Sequence, residues 1–411
     1  MTLKKKKVET LPLEIHVDSS VDSHIIHAGE KVEFLISSNR KELLHVEIRC
    51  DGDGLLMEKD LYAPASVTAS LPHSGFLRCS VTCGETKAVC GVAVDPYNIR
   101  PLLEEPEDYD SFWVNTFQTL AGIPCDFQKT KIGMHGDMEC FRICCKNING
   151  KRAYALLVAP PASYKGKVPL LVSFPGGEAY VSQDAICSSE NTLEKRFGFK
   201  CAYLLFHLPP YAPCKTVEKA KERHKEFLDQ IGLRRYVFSG LQDPERFYAR
   251  SAVCGCVRLL EEAASLPGID GENVIYEGSS HGGAFGIYIT AFSPRIKAAF
   301  CGVPNFGDVG GYLLGRHLTD SDSPEYRSAA MQRLYFDTAF AARRIHVPVF
   351  MEMGFIDPAS PPGGIFAIYN ELQGPKFIYT RVHGSHGSAD SPELALMKAA
   401  WLKSMFQQRM K

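Results

Sequence analysis

The chain of 411 residues has no apolar run near the roughly 18 residues that a bilayer-spanning helix needs. It also has no excess of either charge. Its 46 lysines and arginines stand against 47 aspartates and glutamates, for a formal net charge of -1. That balance removes the electrostatic case for nucleic acid or an anionic membrane surface as partner. No C-x-x-C pair occurs among its 14 cysteines, and none lies beyond Cys301. The spacing argues against a zinc site and a disulfide framework alike. Cysteines fall instead inside apolar runs such as FLRCSVTC and KAAFCGV, as buried free thiols do. A reducing, cytoplasmic setting is the expectation. Internal repeats and low-complexity tracts are missing too. The two tryptophans, Trp113 and Trp401, are expected to be packing residues rather than sugar platforms. The start, MTLKKKKVETLPLEIHVD, has the lysines of a leader without its apolar stretch, so an exposed tail is expected over 1–12, with a trimmed leader left open.

Between residues 13 and 97 the pattern is of short alternating strands broken by turns such as DGDG and LPHSG. KVEFLIS alternates Val32, Phe34 and Ile36 against Lys31 and Glu33. LLHVEIRC alternates Leu44, Val46, Ile48 and Cys50. GFLRCSVTC alternates Leu77, Cys79, Val81 and Cys83 against Arg78, Ser80 and Thr82. Several short strands at this spacing predict an immunoglobulin-like β-sandwich domain. Residues 98–125 read as a linker and docking segment: proline and acidic residues running over the surface, then the helical SFWVNTFQTL.

From 126 to 411 the strands become nearly continuous apolar runs: YALLVAP, VPLLVSF, CAYLLFHL, NVIYE, IKAAFCGV, VPVFMEMG and PKFIYTRV. Helical stretches separate several of them. One carries Val253, Val257, Leu260 and Ala264 on one face. Another is opened by Ser391 as N-cap and Pro392 at its first position. Apolar strands alternating with helices predict an α/β fold with a mostly parallel sheet covered on both faces.

The chemistry points to VIYEGSSHGG. Gly278-Ser279-Ser280-His281-Gly282 fits G-x-S-x-G, after a strand and before a helix-compatible run. A serine in so sharp a turn needs small neighbours, which Gly278 and Gly282 supply, while Gly283 lets the helix pack closely on the sheet. A serine nucleophile needs a base, and the base an orienting group. Asp357 follows the strand VPVFMEMG, and His383 and His386 follow PKFIYTRV, which gives the order Ser, Asp, His of an α/β-hydrolase. His386 is taken as the base, and His383, nearer its strand, as a supporting residue. The oxyanion hole is assigned to the backbone N–H groups of His281 and of Gly177 or Gly176 in LLVSFPGGEAY. The His281 side chain is read as either a specificity residue or a surface histidine at the helix start. His317, Asp320 and Asp322 suit a capped loop better than a metal site.

With these residues placed, the chain resembles the acetyl xylan esterase / cephalosporin-C deacetylase family of α/β-hydrolases from about Ser111 to Phe406. The stretches LQDPERFYARSAVCGCVRLLEEAASLPGIDGENVIYEGSSHGG and YFDTAFAARRIHVPVFMEMGFIDPASPPGGIFAIYNELQGPKFIY carry the likeness. The resemblance implies Ser280, Asp357 and His386 as the triad, with the hole at His281 and about Gly177. The family usually has Gln at His281, Glu at Gly387, a tyrosine at Gly177, and Arg-Gly-Gln-Gly where this chain has HLPPYAP. The family's compact members lack the N-terminal β-domain, and longer relatives have one like it. The family's ring-shaped hexamer leaves a homo-oligomer open, with the added domain placed to alter its contacts.

The expected activity is that of a serine carboxylesterase. It would remove acetyl groups from a sugar or oligosaccharide, with no metal or organic cofactor. The rivals are another serine hydrolase of the prolyl-oligopeptidase type, and a non-catalytic carbohydrate-binding protein on a hydrolase scaffold.

Overall fold

A computed structural model describes residues 12–51, 54–177, 180–317, 329–387 and 391–410. Residues 1–11 of the expected tail, and Asp320 and Asp322, lie outside the described residues. Among the described residues no helix is long and apolar enough to cross a membrane.

Eight strands come first: β1 Ile15–Ser19, β2 Ile25–Ile26, β3 Val32–Ser38, β4 Leu43–Cys50, β5 Leu55–Tyr62, β6 Ala65–Ala69, β7 Gly75–Cys83 and β8 Thr86–Val94. They form two sheets, ordered β1-β3-β6 and β2-β8-β7-β4-β5. The period-2 pattern sets which side chains turn inward. Val32, Phe34 and Ile36 of one sheet and Leu44, Val46, Ile48, Leu77, Cys79 and Val81 of the other share one buried core. Cys50 and Cys83, at strand ends, are only half-buried.

The segment after β8 is pinned down rather than running free over the surface. Asn370 donates to the carbonyls of Pro96 and Ile99, at 2.9 Å each. Glu105 bridges Arg343 at 3.1 Å and Arg344 at 2.5 Å. The acidic residues that suggested a solvated linker are thus spent on arginines of the next layer. The helix Tyr109–Ala121 then docks by its aromatic face. Trp113 is buried, stacks at 4.4 Å on Phe292, and donates its Nε1–H to the Tyr335 carbonyl at 3.1 Å.

The remaining strands are β9 Gln128–His135, β10 Met138–Lys146, β11 Arg152–Ala159, β12 Val168–Phe174, β13 Ala202–His207, β14 Ile269–Ser279, β15 Ile296–Gly302, β16 Val349–Gly354 and β17 Lys376–Arg381. They make one mixed sheet ordered β17-β16-β15-β14-β12-β13-β11-β10-β9. From β17 to β13 neighbours run parallel; β11, β10 and β9 add antiparallel pairs at one edge. The strands of the parallel part read as unbroken apolar runs because both faces are covered. Leu170, Val172, Val274 and Tyr276 pack toward the helices Tyr248–Ala264 and His281–Phe292. Leu171, Ile275, Phe300 and Phe350 pack toward the helix Pro392–Gln407. That helix begins at Ser391, whose Oγ accepts from the Leu394 N–H at 3.2 Å.

Chain order reverses at β12: β13 lies on one side of it and β14 on the other. Such a switch point leaves a crevice at the carboxyl ends of the two strands, which is where open α/β sheets bind ligands.

Trp113→Ala should cost about 3–5 kcal/mol of unfolding free energy, because it empties a buried aromatic site. Urea denaturation of the two proteins measures this.

Candidate active site

Ser280 follows the last residue of β14 and precedes the helix His281–Phe292. Its φ of 59° lies in the left-handed region that side chains seldom enter, and its N–H is held by the Gly302 carbonyl at 2.9 Å. The glycines around it sit against backbone. A Cβ at Gly278 would come 2.7 Å from the Gly282 carbonyl oxygen. One at Gly282 would run into the Phe174 carbonyl oxygen, and one at Gly283 would come 2.5 Å from that of Gly302.

Asp357 and His386 come from the loops after β16 and β17, which are tied together by the Ile356 N–H on the Gly384 carbonyl at 3.1 Å. Asp357 is buried, and its Oδ1 accepts from the N–H groups of Ala359 and Ser360 at 2.8 and 2.9 Å. His386 Nδ1 lies 2.8 Å from Asp357 Oδ2, and its Nε2 lies 2.9 Å from Ser280 Oγ. A carboxylate only accepts, so Nδ1 carries the proton and Nε2 is left with a lone pair toward the serine hydroxyl. The hydrogen bond to Asp357, with its charge and that of Glu352, raises the His386 pKa above the ordinary histidine value, against the opposing effect of burial.

Gly176 and Gly177 follow β12, across the crevice from Ser280. A Cβ on Gly176 would lie 3.7 Å from that of Ser280, and Gly177 has a φ of 60°. The structure thus brings Ser280, His281, Asp357, His386, Gly176 and Gly177 to one place, with Gly278 and Gly282 beneath.

The His281 side chain corrects both expectations for it. It is 3% exposed, so it is not a surface residue. Its Nδ1 lies 2.7 Å from the Gly177 carbonyl oxygen and its Nε2 lies 2.9 Å from the Tyr248 hydroxyl. The carbonyl fixes the proton on Nδ1, so Nε2 accepts from Tyr248. The ring is a strut between the helix Tyr248–Ala264 and the glycine loop, not a group presented to a ligand.

Sequence reasoning passed over Glu352 and Arg381. Glu352 is fully buried in β16 and pairs with Arg381 at 3.0 Å beneath the site. Its signal is one acid inside the apolar run VFMEMG. Glu277 in NVIYEGS is the same kind of signal, paired with Arg196 at 2.7 Å and Lys398 at 3.0 Å. His317 is buried against Asp308, at 2.9 Å, on the loop after β15, as a structural pair. Burial and the Asp308 charge push the neighbouring Asp337 up to about 7. His383 lies apart from Ser280's hydrogen bonds and faces Asp18 at 3.5 Å.

Residues 95–403 match the acetyl xylan esterase (AXE1) family. Acetyl esterase Axe7A of Xylanibacter ruminicola is 25% identical over 324 residues, which cover 76% of this chain and 70% of that protein. The acetyl xylan esterase from Paenibacillus sp. R4 superposes with a TM-score of 0.60 at 19% identity, over 75% of this chain and 98% of that one. Acetyl xylan esterase 1 from a Thermoanaerobacterium species gives 0.61 at 18% identity, over 76% and 98%. At these identities the solved structures speak for the fold, an α/β-hydrolase.

His281→Ala removes a buried ring together with its hydrogen bonds to the Tyr248 hydroxyl and the Gly177 carbonyl. The expected loss is about 2–4 kcal/mol of stability by chemical denaturation.

Proposed function

The chain belongs to the acetyl xylan esterase family and is a carboxylic ester hydrolase, and from that premise we propose that Ser280, His386 and Asp357 carry the reaction. The observation behind this reading is the chain of hydrogen bonds from Ser280 through His386 to Asp357 at the carboxyl ends of β14, β17 and β16. Ser280 Oγ attacks the ester carbonyl carbon while His386 Nε2 takes its proton. The carbonyl oxygen becomes an oxyanion and is received by the N–H groups of His281 and of Gly177 or Gly176. Collapse breaks the C–O bond, and the leaving alcohol takes the proton from His386. Water, deprotonated by the same imidazole, then cleaves the acyl-enzyme and frees the acid. Asp357 holds the tautomer and stabilises the imidazolium.

The acyl group is acetyl and the alcohol a sugar or oligosaccharide hydroxyl. The names of the relatives support this choice. Family membership removes the non-catalytic reading, and the long match argues against a peptidase. We read the two N-terminal sheets as an immunoglobulin-like sandwich with a structural role, spanning 13–97 beside a hydrolase domain over 126–411. The chain acts in the cytoplasm.

Hydrolysis of p-nitrophenyl acetate and longer esters, with fluorophosphonate labelling mapped by mass spectrometry, tests the reading. Acetate should be preferred, the label should sit on Ser280, and Ser280→Ala should lose about 10⁴-fold or more in kcat. A folded protein that neither turns over nor labels sinks the proposal.

The pH dependence provides a separate check. Only neutral His386 can accept the proton, so activity rises with pH through its raised pKa. The acid limb of kcat/KM should have its midpoint above 6.5. Asp357→Asn removes the charge that raises it and the acceptor that holds the tautomer, so the rate should fall about 10⁴-fold.

A further inference from the structure

Arg381, the last residue of β17, is tied to both loops of the proposed triad. Its carbonyl accepts from the N–H of Phe355, two residues before Asp357, at 3.1 Å, and from that of Gly384, two residues before His386, at 2.9 Å. Its side chain folds back over the second loop. Nη2 donates to the carbonyl of Ser385, the residue that precedes His386, at 2.9 Å. The guanidinium lies so close over Gly384 that a Cβ there would come 2.5 Å from Nη1.

Glu352 holds the guanidinium in that pose. Nε and Nη2 of Arg381 both donate to Glu352 Oε1, at 3.1 and 3.0 Å. Oε2 has no hydrogen-bond partner among the described residues. Glu352 is also fitted against the serine turn. Its carbonyl accepts from the Val303 N–H at 2.8 Å. A Cβ on Gly302, whose carbonyl holds the Ser280 N–H, would come 2.8 Å from Oε2. Burying an ion pair is a poor route to stability, because desolvation of both charges offsets their attraction and apolar side chains of like size serve as well. The rest of VFMEMG is apolar and buried. What an apolar residue at position 381 could not do is grip the Ser385 carbonyl.

We infer that Glu352 and Arg381 are positioning residues for the ester hydrolysis: Glu352, seated against the strand end that holds Ser280, fixes the Arg381 guanidinium, which holds the Ser385 carbonyl and so keeps the His386 imidazole on the serine hydroxyl. This rests on the triad proposed above. The imidazole is 30% exposed, so packing alone does not fix it. Asp357 sets the tilt of the ring, and Arg381 sets the backbone that carries it. A misplacement of about 1 Å at a reacting group costs on the order of 10²-fold in rate.

The pair also acts on His386 by charge. After the hydrogen bond to Asp357, burial and the Asp357 charge, Glu352 raises the imidazole's pKa and Arg381 lowers it. The charged groups acting on the ring thus come from β16, the loop after it and β17, while Lys398 of the helix Pro392–Gln407 acts on Glu352. Position and charge are separable by mutation, because one variant can keep an acceptor for Arg381 and another can remove both charges together.

Hydrolysis of p-nitrophenyl acetate against pH tests this, in the wild type, Glu352→Gln and the double variant Glu352→Gln/Arg381→Met. The amide of Glu352→Gln still accepts from Arg381 but holds it more weakly, so kcat at high pH should fall about tenfold. With the negative charge gone, its acid limb should move to lower pH. The double variant leaves no charge buried alone and should fold. Its kcat at high pH should fall about 10²-fold with KM within about threefold. Its acid limb should stay near that of the wild type, because two opposing charges leave together. A folded double variant with the wild-type kcat overturns the inference. An unmoved acid limb in Glu352→Gln overturns it as well, by leaving the pair a structural contact only, and it decides the matter if the double variant does not fold. An unlabelled Ser280 in the wild type would strike the triad itself and this inference with it, whereas an active, labelled wild type beside indifferent variants strikes this inference alone.

Discussion

Backbone meeting backbone at the end of β14 is the constraint on which the rest of the site depends. The Ser280 turn closes only where Gly278, Gly282 and Gly283 let carbonyls of Phe174 and Gly302 approach without a side chain between. That closeness has two effects. It holds Ser280 in a left-handed conformation that lifts its hydroxyl off the sheet edge. It also sets the first turn of the following helix against the loop after β12, so that Gly176 faces the serine across the crevice. A looser turn would separate the two halves of the site.

The other side chains of the site are fixed by charge and hydrogen bonding rather than by packing. Asp357 is buried, and a buried carboxylate is tolerable only with donors around it. It has two backbone N–H groups and His386. Glu352 lies below, paired with Arg381 from the neighbouring strand, and adds negative potential beneath the imidazole. The glycine loop is braced by His281 and Tyr248 through a pair of hydrogen bonds whose direction one carbonyl decides.

Much of this was legible in the chain before the coordinates. The continuous apolar runs became β11 through β17 because both sheet faces are covered, and the alternating runs before residue 97 became strands with one buried face each. Glycine spacing marked the turn at Ser280, and strand ends marked Asp357 and His386. Other features had no local signal. The edge strand β9 is mostly polar, and its neighbour β10 interleaves charged residues with cysteines, so neither follows either pattern cleanly. The pinning of Glu105 depends on arginines more than two hundred residues away. The burial of His281 rests on Phe285, one helical turn on, and on Tyr248, Phe174 and Phe306, which a linear reading does not place beside it.

The contact between the N-terminal sheets and the loops after β16 and β17 reaches beyond stability. Phe76 of β7 lies 5.3 Å from the ring of Phe355, two residues before Asp357, and Gly91 of β8 has no room for a side chain against the same residue. His24 touches the loop that leads to His386. The hydrolase half is therefore not a portable cassette. Cut from its neighbour, it would keep the serine turn, which lies within the large sheet. It would lose the wall behind both loops that answer to that serine. A change in the small sheets at Phe76 or Gly91 is in that sense a change in the footing of the loops that hold Asp357 and His386.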